Sequence, residues 1–224
     1  MFHALHAEGY GIRLRPVRLE DAAFIGWVRH LDHVVGKVGD SQADAAGQEA
    51  WLTKYFDRAG DYYFIVETRR GIPVGTYGIY DVSETSAEVG RHIVRPDILA
   101  GVPASLLAAD LAFNTLGLAR LRSTSVSTNR PVRSMMLKCG FRQVRIARNA
   151  QHISGQPVDM IHFVLMKEDW ERVRKSLLPL ARFARKHIRR WDRAAGAAAL
   201  SPSDSFLKLL LSTPRFDLAL PCGN

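Results

Sequence analysis

Between Tyr62 and Phe141 the chain runs through an order of elements that few folds accommodate: strand, hairpin, glutamate-bearing strand, loop, buried helix, strand, short helix. Tyr62-Tyr63-Phe64-Ile65-Val66 is aromatic and β-branched, and a turn through Arg69-Arg70-Gly71 leads into Val74 to Val82, which reads as an antiparallel hairpin. Ser86 to Val94 makes the next strand. Strict alternation along it predicts Glu88, Gly90 and His92 on one face and Val89, Arg91 and Ile93 on the other. The helix from Ala104 to Leu116 is apolar nearly all round, with Leu106, Leu107, Leu111 and Phe113, so it must lie buried against a sheet. Arg120 to Ser127 is a strand. Pro131 to Lys138 is a helix with proline in its first turn, and Gly140 fits its C-terminus.

The flanks extend this pattern. Ile12 to Arg15 alternates apolar and basic residues as a half-buried strand does, and Glu20-Asp21 supply first-turn acids for a helix carrying Phe24, Ile25, Trp27 and Val28. Gly36 to Gly47 is small and polar and reads as a loop before a second helix, Glu49 to Phe56. Phe141 to Ala150 and Met160 to Lys167, joined by a loop through Gly155 and Pro157, close the unit as a final strand pair. The fold class expected is α+β (mixed α/β): a central, mostly antiparallel twisted sheet flanked by helices over residues 1–168, with a C-terminal helical extension over residues 169–224.

A chain of 224 residues, 47% hydrophobic and 24% charged, is long enough for one sizeable core. Met1 to Tyr10 reads as neither a secretory signal nor a membrane span, which gives a cytoplasmic expectation. Cys139 and Cys222 lie far apart without metal-ligand spacing and read as free thiols. Of the net charge of +9, six units come from Lys167 to Arg193, where ten basic residues face four acids. Trp170, Val173, Leu177, Leu180, Ala184, Ile188 and Trp191 form one apolar stripe there, with arginine and lysine opposite. Pro179 should kink or divide that helix. The stripe can pack on the parent domain, pair with a second copy in a homodimer, or lie on an anionic membrane surface. Without interleaved exposed aromatics, the segment argues against a nucleic-acid partner. Ala194 to Ser203 reads as a linker, and Ser205 to Leu211 as a short apolar helix.

The segment after Val94 has the character of a strand-to-helix turn, which presents backbone N–H groups and a helix N-terminus to a pyrophosphate. It holds a single glycine, Gly101, and Asp97 would oppose a phosphate if it faced one. Downstream stand Ala112-Phe113-Asn114-Thr115-Leu116-Gly117-Leu118, Ser127-Thr128-Asn129 and Lys138-Cys139-Gly140-Phe141. In this order and spacing, the chain from Ile12 to Trp170 resembles the GCN5-related N-acetyltransferase (GNAT) superfamily, and its Asp159 to Trp170 ending resembles the ribosomal-protein and amino-sugar branch. Members usually carry Gln/Arg-x-x-Gly-x-Gly/Ala in the turn. Gly101 falls on the last glycine of that pattern when counted back from Phe113, and on the first when Gly-Val-Pro is matched to Gly-x-Gly.

The resemblance implies an acetyl-CoA-dependent enzyme that transfers an acetyl group to a primary amine of a small molecule. Ile93, Val94, Arg95, Ala100, Gly101, Val102, Ala104, Ser105 and Asn129 would then contact acetyl-CoA, with backbone N–H groups near Ile93 and Val94 on the thioester oxygen. Asn129 also reads as a helix N-cap before Arg130-Pro131. Glu88 is the candidate base and His92 its reserve. The tyrosine that usually serves as general acid is Met136 here, which leaves Ser134, water, or an unassisted thiolate with a thiol pKa near ~8.5. Arg29, His30, His33, Trp51, Tyr77 and Tyr80 are candidates for the acceptor side. Trp27-Val28-Arg29-His30, Gln48 to Leu52 and Tyr62-Tyr63-Phe64 look like enzymes acting on nucleotide-linked amino sugars. The single-glycine turn and Met136 keep open a second reading, an acyl-CoA-binding module without turnover, and peptide N-termini are a further acceptor class.

Overall fold

The computed structural model describes residues 3–37, 45–153 and 155–198. Eight strands form one sheet in the order β1-β2-β3-β4-β5-β6-β8-β7. They are β1 (Ala7–Gly9), β2 (Ile12–Pro16), β3 (Tyr62–Thr68), β4 (Pro73–Tyr80), β5 (Ser86–Val94), β6 (Arg120–Val126), β7 (Arg142–Ile153) and β8 (Gln156–Met166). Every neighbouring pair is antiparallel except β5 with β6. The helices are α1 (Ala22–Arg29), α2 (Ala45–Tyr55), α3 (Gly101–Asp110), α4 (Arg130–Lys138) and α5 (Lys167–Ala198). The α+β expectation holds, and only the short strand β1 has no counterpart in the sequence reading.

Alternation in the aromatic strand β3 divides the core in two. Phe64 and Val66 face one side with Ile79, Val89 and the whole of α3, while Tyr63 and Ile65 face the other with Phe24, Ile25, Val28, Leu52 and Tyr55 of α1 and α2. Burying both faces explains why these strands are apolar in both phases. Helix α3 is covered in turn by α5, whose Trp170, Val173, Leu177, Ala181, Ala184 and Ile188 join the first cluster. Beyond Asp110 the helix widens over Leu111–Thr115, where Leu116 N–H bonds the Leu111 carbonyl. Two half-buried arginines are paired: Arg15 forks Asp21 at 2.7 Å and, with Arg13, engages Glu67, tying β2 to β3 and to the turn before α1.

The tail differs from its sequence reading in three ways. It runs through Pro179 as one helix, and it continues to Ala198, into the stretch that reads as a linker. Leu180 is exposed, and Ala181, one helical turn beyond Leu177, takes the buried position instead. The final hairpin is tighter than expected, turning at Gly155 with Pro157 inside β8. The expected helix at 205–211 and Cys222 lie outside the described residues, as do residues 38–44 of the expected loop. Among the described residues no helix is long and apolar enough to cross a membrane.

Leu177→Asp therefore places a carboxylate in the α3–α5 interface and should destabilise the fold by about 3 kcal/mol or more, whereas Leu180→Asp should change it by less than about 0.5 kcal/mol. Urea denaturation of both variants checks the assignment.

Candidate active site

Strands β5 and β6 pair over only Ser86, Ala87 and Glu88, against Arg120, Leu121 and Arg122. Beyond that point β5 follows β4 and β6 follows β8, and a cleft of about 240 Å³ opens between them. Gly90 to Ile93 line one wall and Ser123 to Val126 the other, with Asn129, Val132, Met135 and Met136 from α4 and Arg29 and Lys37 at its margin.

The β5 wall carries a bulge. Gly78 of β4 pairs with Gly90 and Thr76 with Ile93, so Arg91 and His92 together oppose Tyr77 alone. Arg91 adopts φ +49°, and its displaced carbonyl accepts the Thr76 hydroxyl at 2.6 Å. The conformation is left-handed and unusual for arginine. It is held from a distance: the guanidinium forks Asp61 and lies over the rings of Tyr80, Tyr63 and Trp51 at 4.5, 5.1 and 5.3 Å.

The bulge corrects the expected alternation. Arg91 stays on the Glu88 face, and His92 passes to the opposite one, its ring 4.6 Å from Tyr77 beneath α3. There His92 is half-buried, with both ring nitrogens shut off from solvent and without a hydrogen-bond partner among the described residues. Burial lowers its pKa to about 4, so the ring is neutral near pH 7. It lines the cleft without facing Glu88's side, so it is a poor substitute for that carboxylate. Tyr77, expected on the acceptor side, is likewise a core residue at 3% exposure.

Glu88 sits at the fork where the strands part, half-buried, and accepts the Thr124 hydroxyl at 2.7 Å. Tyr80, its cross-strand neighbour, stands over Gly90, where any Cβ would run into the phenol oxygen. Burial, with Glu88's charge adding to it, pushes the Tyr80 hydroxyl up to about 12. Ser134 lies exposed on α4 outside the cleft, whose α4 side is Val132, Met135 and Met136. It is therefore not positioned to protonate a leaving group. Thr124 and Lys37 carried no motif that could have singled them out.

Antiparallel alternation sorts the two expected oxyanion donors. Arg95 N–H bonds the Val74 carbonyl, so the Ile93 amide also points to β4 while that of Val94 points to the open side. The His33 ring, in turn, interacts with the Val94 backbone. Asn129 both lines the cleft and caps α4, accepting from Val132 N–H at 3.4 Å. Helix α3 begins at Gly101 with no side-chain cap, three residues before its expected start, and Gly101 abuts Met135 and His92. Ala100, Ala104 and Ser105 are buried at this end, the Ser105 hydroxyl beside Tyr77 and Cys139, and Val102 is half-buried. The Arg95 side chain turns away from the cleft to fork Asp97, which removes the expected clash of Asp97 with a phosphate.

On the α1–α2 face a second cavity of about 530 Å³ meets the cleft at Arg29 and Arg91. Its other linings are Ile25, Gly47, Gln48, Ala50, Trp51, Lys54, Arg58 and Tyr63, so among the described residues four cations line it, one of them, Arg91, paired with Asp61. His30 bonds the Gly26 carbonyl and does not line it.

A sheet that splits beside a bulge, next to an uncapped helix N-terminus, leaves room for an extended ligand with an anionic end. The family model "Acetyltransferase (GNAT) domain" matches residues 12–142. The chain belongs to the GNAT acetyltransferase family, whose members are N-acetyltransferases. Similar solved structures include apo FdhC, described as a nucleotide-linked sugar GNAT, at 25% identity and TM-score 0.65, covering 81% of this chain and 99% of that one. Mycobacterium smegmatis RimJ in complex with CoA-disulfide is 22% identical with TM-score 0.64, covering 76% and 90%. A Vibrio cholerae spermidine N-acetyltransferase mutant is 16% identical with TM-score 0.63, covering 72% and 97%. No curated protein matches the sequence.

The depressed His92 pKa sets a pH dependence. Between about 4 and the ordinary 6.5, the unfolded chain takes up the His92 proton more readily than the folded one. Stability should be complete above pH 6.5 and fall toward pH 4, by an amount on the order of 3 kcal/mol. His92→Phe should flatten that slope in urea titrations across the same pH series.

Proposed function

We propose that the chain is an acetyl-CoA-dependent N-acetyltransferase whose acceptor is an anionic primary amine, with a nucleotide-linked amino sugar as the class that fits best. The observation that carries this reading is the cavity at Arg29 and Arg91: four cationic side chains line it, and it opens onto the wall of the cleft. Burial lowers the Arg29 pKa, and the charge of Arg91 acts in the same direction. A polycation such as spermidine would meet the same charges as repulsion. The likeness to a nucleotide-linked sugar GNAT supports the same class. Peptide N-termini, the other acceptor class, bring no obligatory negative charge to the four cations.

In this reading the thioester arm enters between β5 and β6, where His92 offers ring nitrogens without protein partners and Val94 an outward amide. The N-terminus of α3 at Gly101 and Val102 receives the pyrophosphate. The amine nitrogen attacks the thioester carbonyl from the Glu88 side, the C–S bond breaks, and the ammonium proton passes to Glu88, directly or through water. The thiolate takes up a proton from solvent or from the Tyr80 phenol, which lines the cleft.

Two assays test this. Glu88→Gln keeps the shape and the Thr124 contact while removing the base, and should reduce kcat on the order of 10²-fold with little change in CoA affinity. Thiol release from acetyl-CoA in the presence of nucleotide-linked amino sugars, aminoglycosides, polyamines and peptides should favour the first. The double charge reversal Lys54→Glu with Arg58→Glu should raise KM for that acceptor at least about tenfold and leave KM for acetyl-CoA unchanged. Release with none of these amines, from a protein that still binds CoA, would instead identify a binding module.

A further inference from the structure

Helix α5 lies along α3 and is tied to it at both ends. At its start the Trp170 indole N–H donates to Asp110 at 2.9 Å and Arg174 reaches the same carboxylate at 3.0 Å, at the C-terminal end of α3. At its far end the Trp191 indole N–H donates to Asp97 at 3.1 Å, and Asp192 accepts the Thr68 hydroxyl at 2.6 Å. Asp97 belongs to the segment that leads from β5 into α3. The same carboxylate is forked by Arg95 at 2.7 and 2.9 Å. The Arg95 guanidinium, 5% exposed, is stacked between two indoles, Trp191 at 5.0 Å and Trp27 of α1 at 5.4 Å.

This clasp closes on the backbone whose shape decides where α3 begins. Arg95 N–H is fixed to Val74 and its carbonyl accepts from Ile98, Ala100 follows, and the first free turn of α3 starts at Gly101. A turn with one glycine has little intrinsic preference for a phosphate-cradling shape, so the shape has to be imposed from outside. The family match ends at residue 142, before α5 begins at Lys167.

We propose that Trp191 is a positioning residue for acetyl-CoA: through Asp97 and Arg95 it fixes residues 95–100 and hence the N-terminus of α3, making α5 part of the coenzyme-binding device. The proposal rests on the reading that this N-terminus receives the pyrophosphate. It explains why Asp97, an acid in an anion-binding turn, is tolerated. Its charge is spent on Arg95 and the Trp191 indole, which hold its pKa down although burial opposes them.

The test is CoA titration calorimetry on the full chain with three variants. Trp191→Ala should weaken CoA binding at least about tenfold and raise KM for acetyl-CoA more than it lowers kcat, with the circular dichroism spectrum unchanged. Trp191→Phe keeps the ring over Arg95 and loses the N–H, so it should show a smaller loss of about threefold, and it serves if the alanine variant does not fold. Trp170→Ala removes a more deeply buried indole at the other end of α5 and should lower the melting temperature while leaving CoA affinity as in the parent. Parent-like CoA binding by folded Trp191 variants overturns the proposal. So does an equal loss of affinity in Trp170→Ala, which would make the effect one of general stability. A parent chain that binds no CoA removes the pyrophosphate reading itself, an outcome distinct from either of these.

Discussion

Three residue pairs hold β5 to β6, and the early end of that pairing is the constraint on which the rest of the site depends. Both strands keep full ladders on their outer edges, β5 with β4 and β6 with β8, so the sheet survives the gap. The inner edges are left with backbone donors and acceptors that need partners from elsewhere. His33 meets one of these at Val94, and an extended ligand arm can meet others as a strand would. The cleft is thus a strand-shaped vacancy, set by hydrogen-bond geometry before any side chain is considered.

Bulge and fork act together. Where β5 leaves β6, one extra residue enters the strand, and this turns Arg91 toward the cationic cavity and His92 toward α3. The two walls of the site consequently differ in chemistry. The α1–α2 side is charged and aromatic, suited to a polar acceptor. The α3 side is apolar, with one neutral imidazole, suited to a thioester arm. A non-glycine residue at φ +49° is strained, of order 1–3 kcal/mol, and the Asp61 fork with three rings around the guanidinium offsets it. Cavity lining and backbone support are therefore carried by one side chain.

The charge of the chain is likewise divided by structure. The basic face of α5 is solvated, whereas its apolar stripe and two indoles are committed to α3 and to the turn before it. Arg29, Lys54, Arg58 and Arg91 instead converge on one cavity. Net charge by itself could not distinguish the two groups.

From the sequence alone came the elements, their order and the place of Glu88, because apolar periodicity and capping signals act over a few residues and leave a local trace. Asn129 as the cap of α4 and Gly140 at its end were legible for the same reason. Beyond that trace lay the parity of β5 past Gly90, which moved His92 to the other face. The same limit left Tyr77 in the core, put Ser134 in solvent, and exchanged Leu180 for Ala181. Each of these depends on partners far away in the chain, such as Asp61 for Arg91 and α3 for α5, and no local propensity encodes which distant residues will meet. Tertiary structure alone assembled Arg29, Lys54, Arg58 and Arg91 into one cavity and set Trp191 against Arg95, since side chains separated by tens of residues acquire a common electrostatic environment only once the sheet has brought them together.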